Sequence, residues 1–317
     1  MSRVPRYVQL FPTFRCDAAC SFCFVRGAPL GGEMDLASFE RLIGSMVSSG
    51  IDELDILGGE PTLHPQLPSM LDLCASSSIK TTMSTNGSQV EVLRRIAGHV
   101  SAGTLTVGVS LNGQGLKGDL NEYIVEHKPL LKSVCTRERT IPDAAEPYLA
   151  DQGIRYYLIY FDALRRRDLR LSIPFHQFFN KLRALRSTYG TVEGVFCSCF
   201  IGQKDAGYAP GTIRCPGGTT KISVMPNGDA YPCYLLMRHA RFRLGNVLTD
   251  GFSHLFDHPV LDTLRRFRGN PCTNSNCEFF TDCRGGCPAV SLFLCGDLHA
   301  PDPRCASPGS DAGWVHP

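Results

Sequence analysis

The sequence has no hydrophobic run long enough to span a bilayer, since apolar stretches such as 107–111 and 291–295 are far too short. Two early arginines have no apolar segment behind them, so we expect no signal peptide. The net charge is only +2, which leaves no broad basic surface for nucleic acid. We therefore expect a cytoplasmic protein without a membrane or nucleic-acid partner.

Cysteine, by contrast, is abundant, with 15 residues in a chain of 317. This is about three times ordinary usage. Disulfides rarely form in a reducing compartment, where clustered cysteines more often bind metal or carry redox chemistry. Apolar residues at 43% and charged residues at 20% are ordinary for a globular protein and exclude disordered, coiled-coil and collagen-like chains.

The cysteines divide the chain into two predicted domains. Residues 1–194 contain one tight group of three cysteines and only two others, whereas residues 195–317 contain the remaining ten. The length fits one large domain or two unequal ones. We expect the boundary at residue 194, with a small cysteine-rich domain after it. Within that domain, residues 223–232 predict a β-hairpin whose turn lies at Asn227, Gly228 and Asp229.

The first domain alternates between strand-like and helix-like segments. Predicted strands lie at 7–11, 54–57, 80–84, 105–111, 133–141 and 154–161, and predicted helices at 35–48, 66–75 and 90–99. Asp35 is the predicted N-cap of the first of these helices. Such alternation is typical of a parallel sheet with crossover helices. About six βα units fit, fewer than the eight of a closed barrel. The predicted fold class is therefore α/β, with a partial TIM-like (β/α)6 barrel.

Three cysteines follow the first predicted strand with the spacing C-x-x-x-C-x-x-C: Cys16, Cys20 and Cys23. A [4Fe–4S] cluster usually takes four cysteines, so three would leave one iron open to a substrate or cofactor. Spacing alone also allows a zinc site completed by a distant ligand such as His64.

Together with later motifs, this loop resembles the radical S-adenosylmethionine (SAM) superfamily. Phe22 stands immediately before the last cysteine, and Gly58, Gly59, Glu60 and Pro61 follow the second predicted strand. The segments Ser-Thr-Asn-Gly at 84–87 and Val-Ser-Leu-Asn-Gly at 109–113 end later strands.

The resemblance implies roles for these residues. Cys16, Cys20 and Cys23 would hold a [4Fe–4S] cluster whose open iron binds the amino and carboxylate groups of SAM. Phe22 would lie near the adenine, and the turn of Gly58, Gly59, Glu60 and Pro61 would receive the methionyl amino group. Asn86 and Ser110 are candidates for the ribose hydroxyls or the carboxylate. Related enzymes often have Asp where this chain has Asn112, which also fits a simple turn. The arginines at 165–167 are interpreted as a solvated basic turn rather than a carboxylate site.

The C-terminal cysteines are similar to the seven-cysteine signature of SPASM domains. The signature falls on Cys215, Cys233, Cys272, Cys277, Cys283, Cys287 and Cys305. The first close pair, Cys272 and Cys277, has four intervening residues where the family usually has two.

This resemblance implies two auxiliary [4Fe–4S] clusters, making three in all. One would use Cys215, Cys233 and Cys287, and the other Cys272, Cys277, Cys283 and Cys305. The first needs a fourth ligand, for which Cys197 and Cys199 are both candidates. We choose Cys199, and an open iron for direct substrate binding is the alternative. Three cysteines outside these motifs, Cys74, Cys135 and Cys295, are interpreted as core residues.

The resemblance implies an enzyme that reductively cleaves SAM to a 5′-deoxyadenosyl radical, which removes a hydrogen atom from the substrate. Enzymes with two auxiliary clusters often modify peptides, so we expect a crosslink, thioether or oxidation on a peptide or protein side chain. Radical oxidation or rearrangement of a small metabolite is the alternative, and a non-catalytic zinc-binding module is the remote one.

We expect a low-potential electron donor, flavodoxin or ferredoxin. The first predicted strand begins near residue 7, which leaves no room for a leader-binding domain, so a peptide substrate would need a separate leader-peptide-binding protein or none.

No residue is assigned as catalytic acid or base. Strand alternation puts Tyr156 and Tyr160 on one face and Tyr157 on the other, with Asp162 at the strand's end.

Overall fold

A single mixed sheet organises the molecule. The computed structural model describes residues 5–27, 31–112, 118–151, 153–195, 215–266, 270–271 and 285–305. The strands in these ranges are β1 (Tyr7–Leu10), β2 (Glu53–Ile56), β3 (Lys80–Thr85), β4 (Leu105–Ser110), β5 (Leu130–Cys135), β6 (Tyr156–Tyr160), β7 (Val192–Val195), β8 (Lys221–Val224), β9 (Asp229–Tyr231) and β10 (Gly245–Asn246).

Helices connect most of these strands. In the described ranges they are α1 (Leu36–Ser48), α2 (Leu67–Ser76), α3 (Val90–Arg95), α4 (Ala97–Ser101), α5 (Gly118–His127), α6 (Glu146–Leu149), α7 (Phe175–Tyr189), α8 (Val247–Phe256), α9 (Asp262–Arg265) and α10 (Pro288–Cys295). None of them is both long and apolar enough to cross a membrane.

The sheet order is β10-β9-β8-β1-β2-β3-β4-β5-β6-β7. Strands β1 to β7 are parallel to their neighbours and β8 is parallel to β1, while β9 and β10 pair in antiparallel fashion. The predicted α/β fold with a parallel sheet is therefore confirmed. The sheet continues beyond the six predicted βα units, with β7 at one edge and the β8–β9 hairpin beside β1.

Helix α1 shows how the sequence pattern produces an element. The side chain of Asp35 accepts a hydrogen bond from the backbone N–H of Ser38 at 2.7 Å, which caps the N-terminus as predicted. The helix buries one apolar face, formed by Phe39, Leu42, Ile43 and Met46. Burying these side chains contributes up to ~6–12 kcal/mol, taken as an upper bound.

Strand β5 differs from its predicted range of 133–141. It starts three residues earlier and ends at Cys135, because Thr136 and Arg139 form a turn in which the Thr136 N–H donates to the Arg139 carbonyl at 2.8 Å. The predicted hairpin near residue 227 is confirmed, since β8 and β9 pair on either side of Gly228, whose φ of +85° favours glycine.

The packing of β6 shows which face of the sheet each of its tyrosines occupies. Tyr156 and Tyr160 are buried, and Tyr160 contacts Phe175 and Phe178 of α7 at ring-centroid distances of 5.6 and 5.1 Å. Tyr157 is half-buried on the opposite face of the strand. That face also carries Lys132 of β5, which is paired in register with Tyr157. It is the face of the sheet turned away from the helices.

The core has two parts. The larger part lies between the sheet and its helices. A second part lies at the end of β1 and β6 and joins Phe11 and Phe161 to the buried cysteines Cys215, Cys233 and Cys287. The described C-terminal residues therefore pack directly against the edge of the sheet where the parallel strands end.

Candidate functional site

The loop that follows β1 carries the three-cysteine motif. Cys16 is exposed, and Cys20 and Cys23 are half-buried. The Cys23 N–H donates to the Cys20 carbonyl at 3.2 Å, and the Ala18 N–H donates to the Cys16 sulfur at 3.4 Å. The residues from Cys20 to Cys23 therefore form a turn, and the Cys16 sulfur is hydrogen-bonded within the same loop.

The thiols influence one another electrostatically. Partial burial raises the pKa of Cys16, and nearby carboxylates and Cys23 raise it further. Burial likewise raises the pKa of Cys20, with Cys23 adding to the effect. Negative charge is therefore unfavourable here without a cation. A bound iron–sulfur cluster would reverse this, because metal coordination deprotonates thiols.

The glycine turn after β2 binds to this loop through its backbone. The N–H groups of Gly59 and Glu60 donate to the carbonyls of Thr13 and Arg15 at 2.9 and 2.7 Å. A Cβ at position 59 would lie 2.0 Å from the Arg15 carbonyl oxygen, and one at Gly58 would lie 2.7 Å from that of Thr13. The two glycines are required because the cysteine loop passes directly over them.

Glu60 connects the turn to the end of β3. Its buried carboxylate accepts hydrogen bonds from the N–H and hydroxyl of Thr62, the hydroxyl of Thr85 at 2.7 Å and the N–H of Asn86 at 2.6 Å. Burial raises the pKa of Glu60, although these hydrogen bonds oppose the rise. Pro61, also buried, opens the short 3₁₀ helix Pro61–Leu63. The Glu60 side chain therefore holds the glycine turn against the end of β3. Its contact with a methionyl amino group stays a prediction.

Asn86 reaches the cysteine loop from β3. Its amide Nδ2 donates to Asp17 at 2.8 Å and lies 4.0 Å from the Cys16 sulfur. Gln89 donates to the same Asp17 carboxylate at 3.3 Å. Sequence reasoning missed Asp17, although its position inside the cysteine motif was a usable signal.

Ser110 lies at the end of β4, directly opposite Lys132 in the register of β4 and β5. The Lys132 amine crosses Gly108, which has no side chain, and donates to Ser84 on β3. Burial lowers the pKa of Lys132, while Asp55 and Glu60 oppose that change. The sequence signal for this residue was a single charged side chain in a largely apolar strand.

Phe22, predicted near the adenine, faces the end of β6, where its ring lies 6.4 Å from that of Phe161. Asn112 accepts a hydrogen bond from the Val134 N–H at 3.0 Å, so its side chain joins the end of β4 to β5. The basic turn is partly neutralised, since Arg165 pairs with the buried Asp168 at 2.8 Å, whereas Arg167 is largely exposed.

His64 does not have the features of a zinc ligand. It is buried, its Nε2 lies 3.0 Å from the Met34 carbonyl and its Nδ1 accepts from the Gln66 N–H at 3.2 Å. Both ring nitrogens are therefore engaged. Within the described ranges, no three His, Cys, Asp or Glu side chains are grouped tightly enough to hold a single metal ion. A cubane binds each cysteine through a different iron, so its ligands need not converge on one point.

Two of the described C-terminal cysteines, Cys215 and Cys233, lie close together, as a shared cluster would require. Cys215, Cys233 and Cys287 are buried, and Cys305 is half-buried. A Cβ at Gly217 would lie 3.3 Å from both the Cys215 sulfur and the Cys233 Cβ, so these two cysteines flank the same glycine. The predicted ligands Cys199, Cys272, Cys277 and Cys283, with the alternative Cys197, lie outside the described residues.

Three other cysteines were expected to be core residues. Cys74 and Cys135 are buried, and burial raises the pKa of each to about 11. For Cys295 the expectation was wrong, because it is exposed as the last residue of α10.

Comparison with known proteins matches two segments of the chain. The model of the radical SAM superfamily matches residues 10–130, and that of SPASM, an iron-sulfur cluster-binding domain, matches residues 215–288. These segments contain the cysteine loop with its glycine turn and the buried C-terminal cysteines.

Similar proteins cover nearly the whole chain. Mycofactocin maturase MftC of Mycobacterium ulcerans is 26% identical, covering 92% of this chain and 85% of the relative. The antilisterial bacteriocin subtilosin biosynthesis protein AlbA of Bacillus subtilis is 22% identical, covering 90% and 67%. The structure of Streptococcus suis SuiB bound to its precursor peptide SuiA has a TM-score of 0.71 at 19% identity, covering 96% and 76%, and shows the same fold.

Proposed function

We propose that this chain, whose two segments match the radical SAM and SPASM models, is a radical SAM enzyme that modifies a side chain of a peptide through a 5′-deoxyadenosyl radical. When bound, a reduced [4Fe–4S] cluster supplies the electron that cleaves SAM to this radical. The support for a peptide substrate comes from relatives named as a maturase and as a bacteriocin biosynthesis protein, and from a neighbour solved with its precursor peptide.

One observation carries the proposal. The three-cysteine loop and the glycine turn are joined by two backbone hydrogen bonds, from Gly59 to Thr13 and from Glu60 to Arg15. The turn therefore lies against the loop at the edge where the parallel strands end. Binding sites of such sheets are found at this edge.

The residues around the loop have separate proposed tasks. Cys16, Cys20 and Cys23 would hold the cluster, and the backbone of the glycine turn would receive the methionyl amino group. Lys132, beside Ser110, carries the positive charge that suits a carboxylate. Phe22 and Phe161 offer aromatic surface to the adenine.

The C-terminal part would hold two further [4Fe–4S] clusters, giving three in all, with Cys199 as the fourth ligand of the cluster that includes Cys215, Cys233 and Cys287. We place the domain division at residue 194, next to the end of β7 at Val195. A cytoplasmic low-potential donor, flavodoxin or ferredoxin, would supply electrons, and a separate leader-peptide-binding protein would present the peptide.

SAM cleavage is the first test. Protein reconstituted without air and reduced with dithionite is expected to form 5′-deoxyadenosine from SAM, measured by liquid chromatography and mass spectrometry. The variant with Cys16, Cys20 and Cys23 all changed to Ala is the matched control and should form none. Equal amounts from both proteins would contradict the proposal.

The substrate class needs its own measurement. Short peptides encoded beside the gene are incubated with the reduced enzyme and SAM, and each is examined for a mass change. Deuterium at the modified side chain should appear in 5′-deoxyadenosine, because the radical removes that hydrogen atom. Deuterium transfer from a small metabolite, with every such peptide unchanged, would contradict a peptide substrate.

A further inference from the structure

Asp162 occupies a junction between the sheet and the cysteine-rich C-terminal part. It stands two residues beyond the end of β6, after Phe161, whose ring faces Phe22 of the cysteine loop. Its side chain is only 11% exposed. Such burial of a carboxylate needs hydrogen-bonding and charged partners, and Asp162 receives them from two C-terminal segments.

The first partner is Tyr234, the residue after Cys233. Its hydroxyl donates to the Asp162 carboxylate at 2.9 Å. Its ring packs against Phe24 at a centroid distance of 4.6 Å, and Phe24 is the residue after Cys23. Tyr234 thus connects Asp162 to two segments that each contain a predicted cluster ligand, Cys233 and Cys23.

The second partner is Arg304, the residue before Cys305. Its guanidinium is fully buried and donates to Asp162 at 3.3 Å and to the Phe161 carbonyl at 2.9 Å. The same group lies 4.7 Å from the ring centroid of Tyr160. Arg304 therefore attaches the segment that contains Cys305 to the end of β6.

Asp302 extends the connection to a third cysteine of the C-terminal part, Cys287. It binds the Arg304 guanidinium at 2.7 and 3.0 Å and accepts a hydrogen bond from the Cys287 N–H at 2.9 Å. A Cβ at Gly286 would lie 2.1 Å from that of Asp302, so this peptide passes directly against the carboxylate. Burial alone would raise the pKa of Asp302, but Arg304 holds it below its usual value.

Charged side chains meet around Asp162. Asp162 and Asp302 both bind the Arg304 guanidinium, and the amine of the buried Lys221 lies 5.1 Å from the ring centroid of Tyr234. Replacing the Asp162 carboxylate by a neutral amide would remove one negative charge from this buried region, beside the segments that contain Cys233, Cys287 and Cys305.

We propose that Asp162 is a positioning residue that fixes the cysteine segments at 233, 287 and 305 against the end of β6 and whose charge lowers the reduction potential of the iron–sulfur centres held there. The inference rests on the proposed function for those centres. A nearby negative charge opposes the addition of an electron, and the effect is strong in a region that excludes water.

The test uses full-length protein in which Cys16, Cys20 and Cys23 are changed to Ala, so that the C-terminal centres alone give the electron paramagnetic resonance signal. Reductive titration is compared with and without Asp162→Asn. We expect equal iron content, an altered signal and a midpoint potential shifted to more positive values. Asp262→Asn, an exposed carboxylate in the same half of the chain, is the matched control and should leave the potential unchanged.

An unchanged potential and signal in Asp162→Asn would overturn the proposal. If that variant loses iron or fails to fold, Tyr234→Phe decides the matter, since it removes one hydrogen bond and keeps the charge. An altered signal with a smaller shift in potential then supports the role, and an unchanged signal rejects it. Absence of any iron–sulfur signal in the parent protein would instead reject the C-terminal centres themselves.

Discussion

At the scale of single residues, Lys132 places a positive charge on the face of the sheet opposite the helices, next to Ser110. A hydrogen bond to a charged group contributes about 1.5–3 kcal/mol. We therefore expect Lys132→Met to weaken SAM binding roughly ten- to a hundredfold, measured by titration calorimetry on reconstituted protein. Lys80→Met, at an exposed lysine of β3, is the control. Equal affinity of the Lys132→Met variant and the parent would contradict the assigned role.

The same residue gives a pH dependence with a definite sign. Burial holds the pKa of Lys132 below its usual value of 10.5. The amine is charged only below its own pKa, so SAM affinity should fall as the pH rises through this lowered value. Lys132→Arg stays charged over the same range and should show a flat profile. A flat profile in the parent protein would contradict the assignment.

Glu60 is the residue whose hydrogen bonds connect the glycine turn to β3. Its carboxylate accepts four hydrogen bonds from Thr62, Thr85 and Asn86. In Glu60→Gln, one acceptor oxygen becomes an NH₂ group that faces donors, which costs about 1–3 kcal/mol. We expect a lower melting temperature in anaerobic circular dichroism. Glu91→Gln, at a glutamate that is 84% exposed, should melt with the parent, and equal melting of both variants would exclude this anchoring role.

At the scale of elements, the close approach of two loops explains the glycine turn. Gly59→Ala would put a Cβ 2.0 Å from the Arg15 carbonyl, so the cysteine loop must move. We expect reconstituted protein to lose the iron bound by that loop, measured by iron analysis and by 5′-deoxyadenosine formation. Gly44→Ala in α1 meets no atom within 4 Å and should retain its iron, gaining about 0.5–1 kcal/mol of helix stability. Full iron content in Gly59→Ala would show that the contact is dispensable.

Local sequence patterns predicted individual helices and turns, but they could not predict contacts between residues far apart in the chain. Asp35 and the apolar spacing after it predicted α1, and Gly228 predicted the hairpin, because these signals act within a few residues. The pairing of Arg304 with Asp162 spans 142 residues, so no local pattern could indicate it. The contact of the glycine turn with SAM stays a prediction, and the structure adds that the backbone of the turn lies against the cysteine loop, which no local pattern indicated.

At the scale of the whole molecule, cysteines form part of the second core region beside aromatic and aliphatic side chains. Cys215, Cys233 and Cys287 share a core region with Phe11 and Phe161 of the parallel strands. A metal cluster bound there would convert its binding energy into folding energy. The stability of the C-terminal part should therefore depend on its iron more strongly than that of the sheet and its helices.

Iron analysis tests this dependence directly. Three clusters predict about twelve iron atoms per chain in protein reconstituted without air. Changing Cys16, Cys20 and Cys23 to Ala should lower the count to about eight. The melting of the remaining protein should stay close to that of the parent, because the C-terminal iron is retained.

Cys287→Ala should remove a similar amount of iron and also lower the melting temperature, since this cysteine lies in the buried junction with Asp302. Cys74→Ser, at a buried cysteine packed in the larger core, should keep all of the iron. A parent with about four iron atoms would contradict the C-terminal clusters. It would leave the cysteine loop and the SAM chemistry intact, because the N–H groups of Gly59 and Glu60 donate to Thr13 and Arg15, which belong to the same half of the chain.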